Sequence, residues 1–451
     1  MNKSPAMKLK TVYFVSLGCP KNRVDTDIMA AALIEKGLHL VFAPEEADVI
    51  VVNTCSFIGD AKTESIDELL EMATYRKSGR CQLLVAAGCL PQRNGDELKT
   101  AMPEIDAMLG TGTPDRIAEL IDGHSIELQP GTGAHFLQQI NTARLVTPGQ
   151  TSVYIKIADG CSRKCAFCAI PGIRGKGESR TIENVVAEAR MLAEAGAKEL
   201  VLVAQDTAAY GRDLNDGTNL AGLLHQLNQV EGVQWIRVMY LYPDSVDETL
   251  LRAMRDLDKV MPYLDIPIQH VSAAMLKAMR RGHGKKQLQG SIALAKRMLP
   301  EAFLRTTVLL GFPGETESDV LELLQFMTDT QFHHLGAFRY SDEAGTPAFG
   351  RTPQVSRRDS YNRYRKVMAL QKRIVKRNNQ ALIGKTLPVL IEDVADDGGF
   401  VFEGRHIGQA PEIDGVTYVV NANVQPGDIV LCKITDCKEY DLVAEPLEDL
   451  P

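Results

Sequence analysis

Between residues 148 and 355 six apolar runs alternate with helix-patterned stretches, and this alternation constrains the fold more than any other feature of the chain. The runs are Val153–Ala158, Glu199–Ala204, Val233–Met239, Tyr263–Ile268, Phe303–Leu310 and Leu335–Tyr340. The stretches between them repeat with helical period. Over Thr181–Ala195, for example, Ile182, Val185, Val186, Ala189 and Leu192 fall on one stripe, and Gly196 supplies a stop. Six βα units in series predict a parallel barrel or part of one, since each parallel strand is reached by a crossover. Ligands of such barrels collect at the C-terminal ends of the strands.

Directly after the first run, Gly160-Cys-Ser-Arg-Lys-Cys-Ala-Phe-Cys168 places Cys161, Cys165 and Cys168 within eight residues. Three thiols this close are not core filling. A structural zinc would need a fourth ligand, and no Cys or His pair sits nearby. An iron–sulfur cluster held by three cysteines leaves one iron open to a ligand. Polar residues close three later runs: Gln205 and Asp206, Gln269 and His270, and Gly311-Phe-Pro-Gly-Glu-Thr316. By position they fit cofactor or substrate contacts, with Gly311 and Gly314 letting backbone approach a ligand. By residue type each fits a helix cap or a loop bond equally well, Thr316 before Glu317 and Asp319 above all.

Residues 1–147 also read as α/β. The apolar runs Thr11–Leu17, Val49–Asn53 and Leu83–Ala87 alternate with helical stretches such as Thr26–Lys36 and Thr63–Tyr75. Runs apolar on both faces predict a buried parallel sheet. Each ends within a residue or two of a cysteine, namely Cys19, Cys55 and Cys89. At equivalent strand ends these three would converge on one sheet edge, which points to a second metal site. Cys81, Cys432 and Cys437 fall outside both triads and are expected to be non-ligands. His283 and His124, in polar surroundings, are expected at the surface.

Gln129–Gln150 has the composition of a linker. Beyond residue 378 the pattern changes to short alternating runs (Thr386–Glu392, Phe400–Glu403, Val416–Val420, Ile429–Thr435 and Tyr440–Val443) divided by turn residues, which predicts a small antiparallel β-barrel. The chain is therefore expected to be α/β in three parts: a parallel-sheet domain over 1–147, a partial (βα)6 barrel with a connecting helix over 148–377, and a β-barrel over 378–451.

Charge is unevenly spread. The whole chain carries a net −8, but from Gly384 onward 14 Asp/Glu stand against 4 Lys/Arg. Just before, Arg357–Arg377 holds nine Lys/Arg and only Asp359 as an acid. That stretch reads as a polar connecting helix with Tyr361, Tyr364, Met368 and Ile374 facing inward. No apolar run approaches the roughly 20 residues of a membrane span, and Met1–Lys10 lacks a signal-peptide pattern. A cytoplasmic location with no membrane partner is expected, where nine cysteines argue for metal or catalysis rather than disulfides.

The Cys-x3-Cys-x2-Cys run resembles the signature of the radical S-adenosylmethionine (SAM) superfamily. The resemblance implies a [4Fe–4S] cluster on Cys161, Cys165 and Cys168, with SAM bound at the open iron and split to a 5′-deoxyadenosyl radical. Phe167 matches the aromatic that lies against the adenine there, though it also fits a packing residue at the barrel mouth. Gln205, Asp206, Gln269 and Gly311 are the other candidate cofactor contacts.

With two cysteine triads and a terminal β-barrel in this order, the whole chain resembles the methylthiotransferase family. That implies a second [4Fe–4S] cluster on Cys19, Cys55 and Cys89, and a C-terminal TRAM domain. It also implies one SAM giving the methyl, a second giving the radical, and sulfur delivered at the second cluster. An electron donor and a sulfur source are implied partners, and no catalytic side chain stands out.

Two branches of the family compete. One places methylthio on a tRNA adenosine beside the anticodon; the RimO branch modifies the β-carbon of an aspartate in ribosomal protein S-twelve. Ser16-Leu-Gly-Cys-Pro-Lys-Asn22 with Val24-Asp25, Ile170-Pro-Gly-Ile-Arg-Gly175 and Glu439-Tyr-Asp-Leu442 resemble the protein-modifying branch. The tRNA branch tends to have Gln-Met-Asn after the first cysteine. An RNA-gripping barrel should be basic, whereas this acidic one would repel RNA and steer a basic ribosomal protein, unless its acidity serves solubility alone. The basic 357–377 stretch pulls the other way and would suit ribosomal RNA if the substrate is presented on the small subunit. A non-catalytic iron–sulfur carrier is a third reading, disfavoured because carriers usually saturate their clusters with four cysteines.

Overall fold

In the computed structural model, residues 9–124, 126, 128, 144–147, 149–395 and 401–447 are described. Most of the Gln129–Gln150 stretch read as a linker lies outside them.

The first part holds five strands: β1 (Thr11–Ser16), β2 (His39–Leu40), β3 (Val49–Thr54), β4 (Leu83–Gly88) and β5 (Ala107–Leu109). All neighbours pair in parallel, in the order β2-β1-β3-β4-β5. β3 is central and buried along its whole length. Its alternate residues feed two cores, as the pleat requires. Val49 and Val51 pack with Val12, Leu33 and Val85 on one face; Ile50 and Val52 pack with Leu69, Leu84 and Ala86 on the other. Cys81 belongs to the second core, two residues before β4. The strand order reverses between β1 and β3, which opens a crevice at their C-terminal ends.

The six predicted barrel strands are all present as β6 (Ser152–Lys156), β9 (Glu199–Val203), β10 (Trp235–Val238), β11 (Tyr263–Asp265), β12 (Phe303–Leu310) and β13 (His334–Arg339). They form two parallel three-stranded sheets, β10-β9-β6 and β11-β12-β13. The Leu241 N–H donating to the Asp265 carbonyl at 2.8 Å links the two beyond the ends of β10 and β11. The helix over Ile182–Glu194 buries Val185, Val186, Ala189 and Leu192, is capped by Thr181 and stops before Gly196. Thr316 does cap the helix over Glu317–Thr330, in a reciprocal box with Asp319.

One run divides. Val153–Ala158 ends as a barrel strand at Lys156, and Ala158–Asp159 (β7) turns to pair antiparallel with Glu178–Ser179 (β8). That short ladder closes the base of the loop bearing Cys161, Cys165 and Cys168.

The last strands are β14 (Thr386–Val394), β15 (Val401–His406), β16 (Thr417–Val420), β17 (Ile429–Cys437) and β18 (Leu442–Pro446). They close a barrel in the order β14-β15-β16-β18-β17. Four pairings are antiparallel and β16–β18 is parallel. Parity demands this, since strands cannot alternate direction around a closed ring of five. Cys432 is buried in this barrel's core.

The β-barrel docks on the N-terminal ends of the central strands, away from the cysteine loop. Arg405, buried there, reaches Ser152 Oγ at 2.7 Å and pairs with Glu199 and Glu392. Arg237 donates to Glu199 at 2.7 Å and to the Ile407 carbonyl at 2.9 Å. Tyr263 donates to Asp414 at 2.6 Å. The connecting helix runs over Arg357–Gln380 and buries Val367, Gln371, Ile374 and Val375. Tyr361 does not face inward as expected; it is 50% exposed, because the helix turns it toward a surface cleft of about 750 Å³ that it lines with Phe338 and Arg339. Among the described residues no helix is long and apolar enough to cross a membrane.

Candidate metal centres and cofactor site

The crevice at the β1/β3 reversal receives the first triad. Cys19 caps the helix over Pro20–Glu35, and Cys89 opens the helix over Cys89–Ala101. Helix N-termini favour thiolates. Burial pushes the Cys19 thiol up, but Lys21 and Arg174 outweigh it and hold the group below its ordinary value. Burial raises Cys55, and carries Cys89 to about 12 even with Arg174 beside it. Asn22 draws the three positions together: its N–H donates to the Cys19 carbonyl at 2.8 Å, its side-chain amide donates to the carbonyl of Thr54, beside Cys55, at 2.9 Å, and its Oδ1 lies 3.8 Å from Cys89 Sγ.

Two glycines make this packing possible. Gly88 has φ +89°, and a side chain there would stand 2.2 Å from Asn53 Oδ1. Gly18 has φ +88°, and a Cβ would lie 2.8 Å from Cys55 Cβ and 3.1 Å from its Sγ. Gly18→Ala is therefore expected to displace Cys55. Iron per reconstituted chain should fall by about half, because one of two clusters loses a ligand; iron and sulfide analysis checks it.

The second triad sits in the 160–177 loop at the C-terminal end of β6. Burial pushes Cys161 up to about 11 and Cys168 up to about 12. Charge interactions join Cys165 to both. Thiols raised this far release protons as a cluster binds them. Among the described residues no three His, Cys, Asp or Glu side chains close in on one point as the ligands of a single ion do. Three thiols at each site are the donor set of a cluster that keeps one iron open.

Around this triad lie two arginines that sequence reasoning missed. Arg281 donates to Cys165 Sγ at 3.2 Å and to the Pro267 carbonyl at 2.7 Å. Arg163 donates to Asp206 at 2.6 Å and, through both terminal nitrogens, to Asp244 at 2.6 and 2.8 Å. The two guanidinium carbons lie 4.1 and 3.8 Å from the Tyr242 ring centroid. Arg163, inside the cysteine run, was open to inspection; Arg281 and Tyr242 carried no sequence signal.

The predicted cofactor residues divide. Gln205 gives its amide to Asp159 at 2.8 Å and leaves Oε1 buried without a partner; Asp206 likewise leaves Oδ1. Arg281 Nε and both nitrogens of His283 are in the same state. His283 is thus buried, not at the surface as expected, since it packs edge-on against Tyr242, with ring centroids 5.6 Å apart. His124 is exposed. These unpartnered polar atoms fit a polar ligand such as SAM beside the open iron.

Phe167 packs with Ala166, Met275, Met279 and Phe312 and remains partly exposed, which suits both readings made of it. Gln269 has φ +65°, and its backbone joins the ladder to β12 through Thr307 and Leu309. His270 is buried and accepts the Val271 and Ser272 N–H groups at Nδ1. Gly311 has φ +76° and stands against the connecting helix, where a Cβ would meet Ser360 Oγ at 2.5 Å; it also lines the cleft that holds Tyr361.

The two triads adjoin. Cys89 shares a small buried cluster with Ala169 and Ile173, the first of these next to Cys168. A (βα)6 partial barrel with a three-cysteine loop after its first strand, facing a second three-cysteine crevice, defines a radical SAM enzyme with an auxiliary iron–sulfur site.

Comparison agrees with each part. Residues 11–110 match the family described as "Uncharacterized protein family UPF0004", residues 155–327 the radical SAM superfamily and residues 383–447 the TRAM domain. The chain is 42% identical to the ribosomal protein uS12 methylthiotransferase RimO of Trichlorobacter lovleyi, over 97% of this chain and 98% of that protein. It is 44% identical to the protein of the same name from Geotalea uraniireducens, over 96% and 98%. Among solved structures it is similar in fold to the radical SAM methyltransferase TsrM of Kitasatospora setae, with TM-score 0.58 and 13% identity over 75% of this chain and 77% of that one. The chain belongs to the RimO family of radical SAM methylthiotransferases. Its cofactors are accordingly SAM and [4Fe–4S] clusters.

Proposed function

We propose that this enzyme transfers a methylthio group to the β-carbon of an aspartate in ribosomal protein uS12, in the cytoplasm. The buried cluster that Cys89 shares with Ala169 and Ile173, just after Cys168, carries this reading, because methylthio transfer needs a radical source and a sulfur source within reach of one carbon. When bound, SAM and the two clusters supply the hydrogen-abstracting radical, the methyl group and the coordinated sulfur.

The chain's own residues do the rest. Cys161, Cys165 and Cys168 hold the radical-generating cluster at the barrel mouth, and Cys19, Cys55 and Cys89 hold the sulfur-bearing one at the crevice. Gln205, Asp206 and Phe167 line the SAM side of the mouth. Arg281 holds the Cys165 side of the loop against the Pro267 carbonyl.

A protein substrate rather than tRNA is favoured by Cys19-Pro-Lys-Asn22 and by the acidic β-barrel. Arg405, one of that barrel's few cations, is buried against Glu199, and Asp414 is buried against Arg305, so the barrel keeps on its surface the acidic excess of its sequence. An electron donor and a sulfur source complete the set of partners. Mass spectrometry of uS12 from cells with and without the gene tests the assignment. A methylthio-aspartate present only with the gene is expected; an unmodified aspartate in both strains would remove the substrate assignment.

A further inference from the structure

One buried residue touches a cysteine of the first triad and is tied through its neighbours to the loop of the second. Arg174 lies at the end of the short helix over Ile170–Arg174, six residues after Cys168. It is 3% exposed. Its guanidinium forks across the boundary between the first domain and the barrel. Nη1 donates to both oxygens of Asp159 at 3.1 and 2.8 Å. Nη2 donates to Asn22 Oδ1 at 2.6 Å and Asp25 Oδ2 at 3.1 Å, and stands 3.9 Å from Cys89 Sγ. Asn22 is in turn fixed by the Leu17 and Thr54 carbonyls, at 3.0 and 2.9 Å, each at the end of a strand that leads to a cysteine of the first triad.

On the other side, Asp159 accepts the Gly160 N–H at 2.9 Å, one residue before Cys161. The Cys161 N–H donates to the carbonyl of Gly175, the neighbour of Arg174, at 3.0 Å. Lys156 completes the cluster, pairing with Asp25 and, at 2.9 Å, with Asp159. Two anions and two cations are thus buried together, drawn from β6, β7, the first helix of the first domain and the cysteine loop. The pairs alone do not stabilise the fold much, since burying charges costs about what their attraction returns. What such a network does well is fix geometry.

We propose that Arg174 is a positioning residue that locks the auxiliary centre to the radical centre at one separation and orientation, and that holds Cys89 through its guanidinium. The inference rests on the methylthiotransferase reading and deepens it. Radical formation and sulfur transfer are separate steps at separate centres. Their coupling depends on alignment, and small displacements at a reacting centre cost large factors.

The test uses the full chain, reconstituted, as wild type, Arg174→Gln, Arg174→Lys and Asp25→Asn. The first readout is methylthiolated uS12 formed per 5′-deoxyadenosine released. A fall of about 10- to 100-fold is expected for Arg174→Gln, as for other supports of metal ligands. The second is the reduction potential of the auxiliary centre, measured by EPR-monitored titration in full-length chains whose Cys161, Cys165 and Cys168 are all Ala. Losing a cation beside Cys89 should make it more negative, because the reduced cluster carries more negative charge. Arg174→Lys should recover the potential but not the ratio, since an ammonium keeps the charge and loses the fork.

A ratio and potential unchanged in Arg174→Gln would overturn the proposal, and so would full recovery of both by lysine. Should Arg174→Gln fail to fold, Asp25→Asn decides: it removes the anchor in the first domain and must lower the ratio, and an unchanged ratio sinks the idea. Wild-type protein that cleaves SAM yet never modifies uS12 would instead defeat the substrate reading, while the potentials would still report on Arg174.

Discussion

Replacing Cys161, Cys165 and Cys168 with alanine should abolish SAM cleavage, whereas replacing Cys19, Cys55 and Cys89 should leave 5′-deoxyadenosine formation and abolish methylthio transfer. The asymmetry follows from where each triad sits. The first group lies at the mouth of the barrel, ringed by Gln205, Asp206, Arg281 and His283 with polar atoms free for a ligand. The second lies at the reversal of a separate sheet, where Asn22 and Arg174 face Cys89. Loss is expected to be total in each case, since three thiolates already leave one iron without a protein ligand and removing them leaves no cluster. Reconstituted variants, assayed for 5′-deoxyadenosine and for modified uS12 in the same tube, check both halves. Equal loss of both products in the two variants would contradict the division of labour.

Glu199→Gln should destabilise the chain by about 3–5 kcal/mol without touching either triad, the usual cost of stranding a buried charge. Glu199 is fully buried between Arg237 and Arg405, where the β-barrel docks on the central strands. Burial alone would raise its carboxyl, but Arg405 and Arg237 hold it down to about 2, against the ordinary value of 4.5. A carboxylate depressed on folding stabilises at pH above the unfolded value, so the contribution is whole above pH 4.5 and is lost as pH falls toward about 2. Urea midpoints of wild type and variant, both without metal, should differ widely at pH 7 and converge in acid. A gap that persists unchanged at pH 3 would show that Glu199 is not the group responsible.

Much of this was legible in the chain. Apolar runs followed by helical periods gave all six barrel strands, because a strand buried on both faces has few other sequences open to it. The cysteines stood out because thiolate spacing is itself the ligand geometry. What escaped detection arises only when distant segments meet. Arg174 was in view within Ile170-Pro-Gly-Ile-Arg-Gly175, yet its partners Asn22 and Asp25 lie some 150 positions earlier. His283 looked like a surface residue because its sequence neighbours are polar, while its burial comes from Tyr242, on a different strand's loop. Gly311 was read as making room for a ligand, and the close approach of Ser360 from the connecting helix was not foreseen. A glycine announces a close approach but not what approaches.

The acidity of the last domain also gains a location. It docks at the end of the barrel opposite the cysteines, so it does not line the radical site. On the proposed reading it would act on a basic protein substrate only at long range, an attraction that weakens as salt rises.

The most direct measurement offers reconstituted enzyme, SAM, a reductant and a sulfide source to uS12 and to unmodified tRNA in parallel, followed by mass spectrometry of both. A methylthio group on an aspartate of uS12, with tRNA unchanged, is the predicted result. Methylthioadenosine in the tRNA with uS12 unmodified would contradict the account.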